Sequence, residues 1–220
     1  MPSGWPRRFC CDDELALLGY DGQSAEADLA KWRSGRPHPA TRELIDVIRH
    51  EGVDGATLLD IGAGVGAVHI TLLEGGAATA VDVDASREYL AVARAEAERR
   101  GLTGRVEYRY GDVVELGADL PRADIVTLDS VICCYPYLPA LLSAAVRRSP
   151  RLVGLTYPRD AWWMRVYMRI WNLTHALRRS RARYFIHRHA EVNRLMAYAG
   201  FVNAHEGGTR GWRVVVYRRD

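Results

Sequence analysis

The sequence predicts an α/β protein whose open, mostly parallel sheet carries helices on both faces, and three observations predict it. From Thr57 onward, short apolar runs alternate with longer amphipathic stretches, the pattern of parallel strands joined by crossover helices. The first three runs end in glycine or aspartate: Ile61-Gly62, Val83-Asp84 and Tyr110-Gly111-Asp112. Those residue types turn a chain. Near the end, residues 201–206 and 212–217 flank Gly207-Gly208 and read as a closing antiparallel pair.

Each element follows in order. Residues 1–51 hold polar and aromatic stretches and one predicted helix, 41–50, after Pro37 and Pro39; they read as an N-terminal helical cap. Residues 57–61 are a buried strand running into glycines, and 65–74 a helix closed by Gly75-Gly76. A second strand, 78–83, ends in acids. The Ala-, Glu- and Arg-rich stretch 86–100 is a strong helix that stops at Gly101. Strands at 106–110 and 124–128, a helix at 139–147 and a strand at 151–157 complete the alternation. With the closing pair this makes seven strands. Residues 161–189 are Arg- and aromatic-rich and predict one or two helices inserted as a lid. At 220 residues the chain can bury a full core, and one domain, 1–220, is expected.

Composition narrows the function classes. The charged share is 26% and the net charge only +3, and no recognition module is visible, so nucleic-acid binding is not expected. The longest uncharged run, 130–146, contains Pro136 and Pro139 and falls short of the roughly 20 apolar residues of a membrane span. No N-terminal stretch joins basic residues to a long apolar core. The cysteines fall in adjacent pairs, Cys10-Cys11 and Cys133-Cys134, with no zinc spacing. A cytoplasmic protein with reduced thiols and no metal is the expectation, its oligomeric state open.

The chemistry-bearing segment is Asp60-Ile61-Gly62-Ala63-Gly64-Val65-Gly66, where a strand turns into a helix. Glycine there lets a ligand approach the main chain. Alone the pattern is shared with dinucleotide-binding loops, but three acids redirect it. Asp60 precedes the glycines, where it would repel a pyrophosphate and suit an ammonium or sulfonium charge. Asp82 lies about twenty residues on, the offset of a ribose-binding acid. Asp84 is the alternative, and the strand register favours Asp82. Asp112 closes the third strand, placed to accept from an adenine amino group. A dinucleotide reading would need a G-x-G-x-x-G spacing, which is absent.

Together these residues resemble the class I, S-adenosylmethionine-dependent methyltransferases, a Rossmann-like family. Leu59–Gly66 resembles the first motif, Val81-Asp82-Val83-Asp84 the second, Tyr110-Gly111-Asp112-Val113 the third and residues 124–130 the fourth. The resemblance implies S-adenosylmethionine as cofactor. It implies Asp60, Gly62, Ala63, Gly64, Asp82, Val83, Asp112, Val113 and Asp129 as its contacts. Substituting Asp82 by Ala is then expected to weaken the cofactor severalfold.

The acceptor side is more individual. Val131-Ile132-Cys133-Cys134-Tyr135-Pro136, Thr156-Tyr157-Pro158-Arg159 and Phe185-Ile186-His187 resemble magnesium-protoporphyrin methyltransferases and their bacterial relatives. In many of those relatives proline stands where Arg188 does here. The resemblance implies a small-molecule acceptor, with O-methylation of a carboxylate on a flat apolar molecule as the candidate reaction. A carboxylate is already ionised at neutral pH and needs no base. A phenol or amine would need one, and His187 and Tyr135 are the candidates. The alternative is a methyltransferase-fold protein that binds the cofactor or a partner and performs non-methylating chemistry in natural-product biosynthesis. In the lid, Trp162, Trp163, Tyr167, Ile170, Trp171 and Leu177 fall near helical spacing among Arg165, Arg169, Arg178 and Arg179. That pattern fits a packed helix, an acceptor lid or peripheral membrane contact.

Overall fold

In a computed structural model, which describes residues 20–177 and 183–220, seven strands form one sheet in the order β3-β2-β1-β4-β5-β7-β6. The strands are β1 (Thr57–Ile61), β2 (Thr79–Asp84), β3 (Val106–Tyr110), β4 (Ile125–Asp129), β5 (Leu152–Pro158), β6 (Phe201–Gly208) and β7 (Trp212–Arg219). The first five run parallel; β7 is antiparallel to both β5 and β6. Strand order reverses between β1 and β4, and the carboxyl edge at such a switch point is where open α/β sheets take ligands.

The described helices are α1 (Gly22–Arg33), α2 (Pro39–His50), α3 (Ala67–Glu74), α4 (Arg87–Arg99), α5 (Val113–Leu116), α6 (Leu138–Arg148), α7 (Trp162–Leu177) and α8 (His189–Tyr198). Alternation along each strand feeds two cores. Leu59, Val126, Leu128, Val153 and Leu155 face α6 and α8. Leu58, Ile125, Leu152 and Val214 face α2 and α3. Gly154 lets α2 lie close, since a Cβ there would come within 2.8 Å of the Leu44 side chain.

Every strand lies where expected, within about two residues at its ends. The helix expected from 65 begins at Ala67, because Gly66 takes a left-handed φ of 80° and acts as its N-cap. Three helices are not predicted by the sequence; one of them, α5, is a single four-residue turn. Helix α1 buries only Ala25 and Leu29, and α8 only Val192 and Met196, too few apolar positions for a visible period. Among the described residues of the lid segment, Trp162–Leu177 form the helix α7 and 183–188 are non-helical. Arg178, Arg179, Cys10 and Cys11 lie outside the described residues.

Candidate active site

Gly62, Gly64 and Gly66 all sit in the left-handed region, with φ of 63°, 59° and 80°. Gly62 is required twice over: a Cβ there would come 2.5 Å from Val131 Cγ2. Its N–H donates to the Val83 carbonyl at 2.7 Å, tying the loop to β2. Val83 and Val113 contribute only main chain to this edge, because their side chains are buried in the core. Ala63, between the first two glycines, is partly exposed.

The acids divide into two sets. Asp84, at the carboxyl end of β2, accepts the Gly64 N–H at 2.9 Å and the Ser86 N–H at 2.8 Å. Burial pushes its carboxyl up to about 6, against the pull of those two backbone bonds. Asp82 is fully buried, neither oxygen has a hydrogen-bond partner, and its nearest charge partner is His69 Nε2 at 3.9 Å. Burial, then the proximity of Asp84 and Asp60, drives its pKa well above the carboxylate range. The strand register favours Asp82 as ribose acid, but the fold buries that carboxylate without a hydrogen-bond partner. Alternation puts Asp82 and Asp84 on one face of β2, but it is Asp84, the last residue of the strand, whose carboxylate reaches the Gly64 N–H.

Asp60 also turns away from the carboxyl edge. It is buried and accepts from Thr127 Oγ1 at 2.6 Å and from the His69 main chain at 3.3 Å, with His69 Nδ1 at 3.0 Å. A carboxylate at that distance selects the Nδ1–H tautomer of His69. Asp60 thus braces the underside of the loop and the first turn of α3.

The remaining acids line the edge further along. Asp112 caps α5, accepting the Val114 N–H at 2.8 Å, and its other oxygen accepts the Tyr135 hydroxyl at 2.9 Å. Asp129 accepts from Thr41 Oγ1 at 2.6 Å and from Thr156 Oγ1; burial raises its pKa despite both bonds. Ser130, beside it, is the one described non-glycine residue at positive φ, 65°. Its N–H is held by Thr156 Oγ1 at 2.9 Å, and this sparsely populated conformation leads the chain to Val131 over Gly62.

The acceptor side is assembled from three distant segments. Phe185 N–H donates to the Cys133 carbonyl at 2.7 Å, and His187 Nε2 lies 3.0 Å from the Tyr135 carbonyl. The Asn172 side chain of α7 pairs with both the N–H and C=O of Tyr184 at 2.8 Å. From the N-terminal cap, the Tyr20 hydroxyl lies 3.4 Å from Cys134 Sγ, while Tyr20, Ala25 and Leu29 pack with Val65 and Tyr89 over the loop. Cys133 and Cys134 share one hydrogen at 3.8 Å; that bond raises the Cys133 thiol and lowers the Cys134 thiol.

The two candidate bases thus carry other bonds. A carbonyl only accepts, so His187 Nε2 is protonated there and that nitrogen is no base. The Tyr135 hydroxyl is directed at Asp112. No local pattern marks Tyr20 or Thr41, and Ser130 and Thr156, though inside quoted motifs, are not singled out by the sequence. Asp84 did carry a signal: it stands two residues before Ser86, the N-cap of α4.

Residues 58–149 match the family model described as a methyltransferase domain. Ribosomal protein L11 methyltransferase of Edwardsiella ictaluri is 33% identical over 112 residues, 48% of this chain; the match spans 38% of that protein's length. Among solved structures, magnesium protoporphyrin IX methyltransferase of Synechocystis superposes with a TM-score of 0.68 at 19% identity. That superposition covers 97% of this chain and 100% of the other. An O-methyltransferase family protein of Burkholderia thailandensis gives 0.71 at 15% identity, covering 94% and 63%.

Proposed function

We propose, from the premise that residues 58–149 form a class I S-adenosylmethionine-dependent methyltransferase domain, that this chain methylates an oxygen of a small, flat, apolar acceptor. A carboxylate is the favoured acceptor atom. One observation carries the reading: the Asp84 carboxylate, beside Gly64 at the switch point of the sheet, stands where a ribose acid is needed.

The residues present fit this cofactor. From Thr57 to Ser86 the sequence has no lysine or arginine, and Asp60, Asp82 and Asp84 all lie in that stretch. Such a setting disfavours a pyrophosphate and favours a cationic sulfonium. Asp84 would accept from the ribose hydroxyls, each of its oxygens having one lone pair beyond those used by Gly64 and Ser86. Asp112 and the Val113 main chain would take the adenine. When bound, the cofactor supplies an electrophilic methyl for in-line displacement, so the protein's task is alignment.

The carboxylate preference rests on the engagement of Tyr135 and His187. With both tied to other groups, an acceptor ionised at neutral pH is the one this edge serves without a base. The solved magnesium protoporphyrin IX methyltransferase of Synechocystis superposes over 97% of this chain, which supports a related class of acceptor.

Incubating the chain with S-adenosylmethionine and panels of flat carboxylates, phenols and amines tests the reading, with S-adenosylhomocysteine as readout. Turnover with carboxylates alone, at a rate nearly flat from about pH 6.5 to 9, is expected. Turnover only with phenols, rising with pH, would refute the acceptor class. No turnover with any panel would favour non-methylating chemistry.

A further inference from the structure

Helix α7 exposes most of the large apolar side chains that the described surface carries. Trp162 is 78% exposed, Ile170 58%, Leu173 60% and Leu177 76%, with Val166, Tyr167 and Trp171 also exposed. At 100° per residue, Trp162, Leu173, Val166, Leu177 and Ile170 fall within an arc of about 80°. Met164, the buried residue of the helix, lies about 160° from the centre of that arc. The side away from the stripe is fastened to the protein: Met164 packs on Gly211, and Asn172 holds Tyr184. The stripe therefore points outward, away from the helix's own contacts with the body.

Charge says what such a stripe meets. Exposed Arg165 and Arg169 fall along one edge of the arc, within about 60° of Trp162. From Ala161 to Ala190 the sequence holds seven arginines and no aspartate or glutamate. Trp and Tyr beside arginines on an amphipathic helix suit the boundary between headgroups and acyl chains, where long cationic side chains reach phosphates. Among the described residues no helix is long and apolar enough to cross a bilayer, so the helix would lie on the membrane.

We propose that α7 docks this protein on an anionic lipid bilayer. The Trp162–Ile170–Leu173–Leu177 stripe enters the interface, and Arg165 and Arg169 pair with lipid phosphates. Helix α7 follows β5 directly at the carboxyl edge of the sheet, so docking sets the acceptor side close to the membrane surface. The proposal stands whether or not a methyl group is transferred.

Co-sedimentation of the full chain with vesicles of phosphatidylglycerol in phosphatidylcholine, against phosphatidylcholine alone, tests it. Partition into the anionic vesicles is expected to be at least about tenfold higher and to fall with salt, with a blue shift of tryptophan emission. Arg165→Gln and Arg169→Gln should each cost about fivefold. Ile170→Asp with Leu173→Asp should cost more than tenfold; all four positions are exposed, and unchanged circular dichroism and melting verify the fold. Equal partition into both vesicle types, or variants indistinguishable from the parent, would overturn the proposal. So would a dimer in sedimentation velocity that Ile170→Asp dissolves while vesicles bind neither form, which assigns the stripe to a second copy.

Discussion

The two halves of the carboxyl edge are built by different means. On the cofactor half, residues 60–84 are close in sequence, and backbone demands fix the geometry: three left-handed glycines, a carboxylate on Gly64 N–H, a buried acid beneath the loop. On the acceptor half, the turn Ile132–Cys134 and Tyr135 after it are held by groups from Tyr20, Phe185 and His187. The first half is a local solution that many acceptors can share. The second is a long-range assembly, and such contacts are where acceptor specificity can change without disturbing the cofactor.

Val131 over Gly62 is where the halves touch, and the largest effect is expected there. Gly62→Ala adds a methyl 2.5 Å from Val131 Cγ2 at a φ of 63°, so the loop or the β4 exit must move. We expect the dissociation constant for S-adenosylhomocysteine to rise at least tenfold, ~1.4 kcal/mol, by calorimetry, with a melting temperature lower by several degrees. A variant that binds normally would mean the loop and the acceptor turn are not coupled at this contact.

A second test separates the acids within the cofactor half. Asp84→Ala is expected to weaken S-adenosylhomocysteine about tenfold, as for a lost charge-assisted hydrogen-bond pair. Asp82→Ala should leave it within about twofold, so the two variants differ by at least about fivefold. The pH dependence follows from Asp84. Its folded pKa of about 6 lies above the unfolded value, so protonation stabilises the ligand-free fold as pH falls through 6 toward 4. Ribose hydroxyls need the ionised form as acceptor, so cofactor affinity should be level above pH 6 and fall below it. Opposite pH trends in melting and in affinity would identify Asp84; affinity unchanged down to pH 5 would remove it.

Legibility in the sequence tracked the same division. The strand–loop–helix unit was readable because a short apolar run, glycines and acids at fixed offsets leave few backbone alternatives. What failed was side-chain direction: Asp82 and Asp84 are two apart on one strand, and only the twist at its end separates a buried acid from one at the loop. On the acceptor half, the structure brings Cys133, Cys134, Tyr135 and His187 together, but their partners are not legible in the sequence. The Tyr135–Asp112 bond joins residues 23 apart, and Thr41–Asp129 joins residues 88 apart. Contacts of that separation leave no periodic trace. Helix α7 showed the reverse: its aromatic period was plain, yet whether the stripe faced the body or solvent required the fold.

The smallest effect is expected where the acceptor half reaches back to Asp112, the acid proposed to take the adenine. Tyr135 donates to Asp112, and the His187 imidazole fixes the Tyr135 main chain, so both residues act through position. Tyr135→Phe removes one hydrogen bond to a carboxylate, which should weaken cofactor binding about threefold to tenfold, the range of an ordinary net hydrogen bond, because the effect on the cofactor is indirect. The turnover number with saturating cofactor should change less than about twofold, whereas losing a general base costs roughly a hundredfold or more. His187→Gln keeps a donor for the Tyr135 carbonyl and should behave as the parent, while His187→Ala should share the Tyr135→Phe phenotype. A hundredfold loss of turnover in His187→Gln, with cofactor affinity intact, would return the histidine to the role of base. It would also make the acceptor half a catalytic device and no longer only a frame.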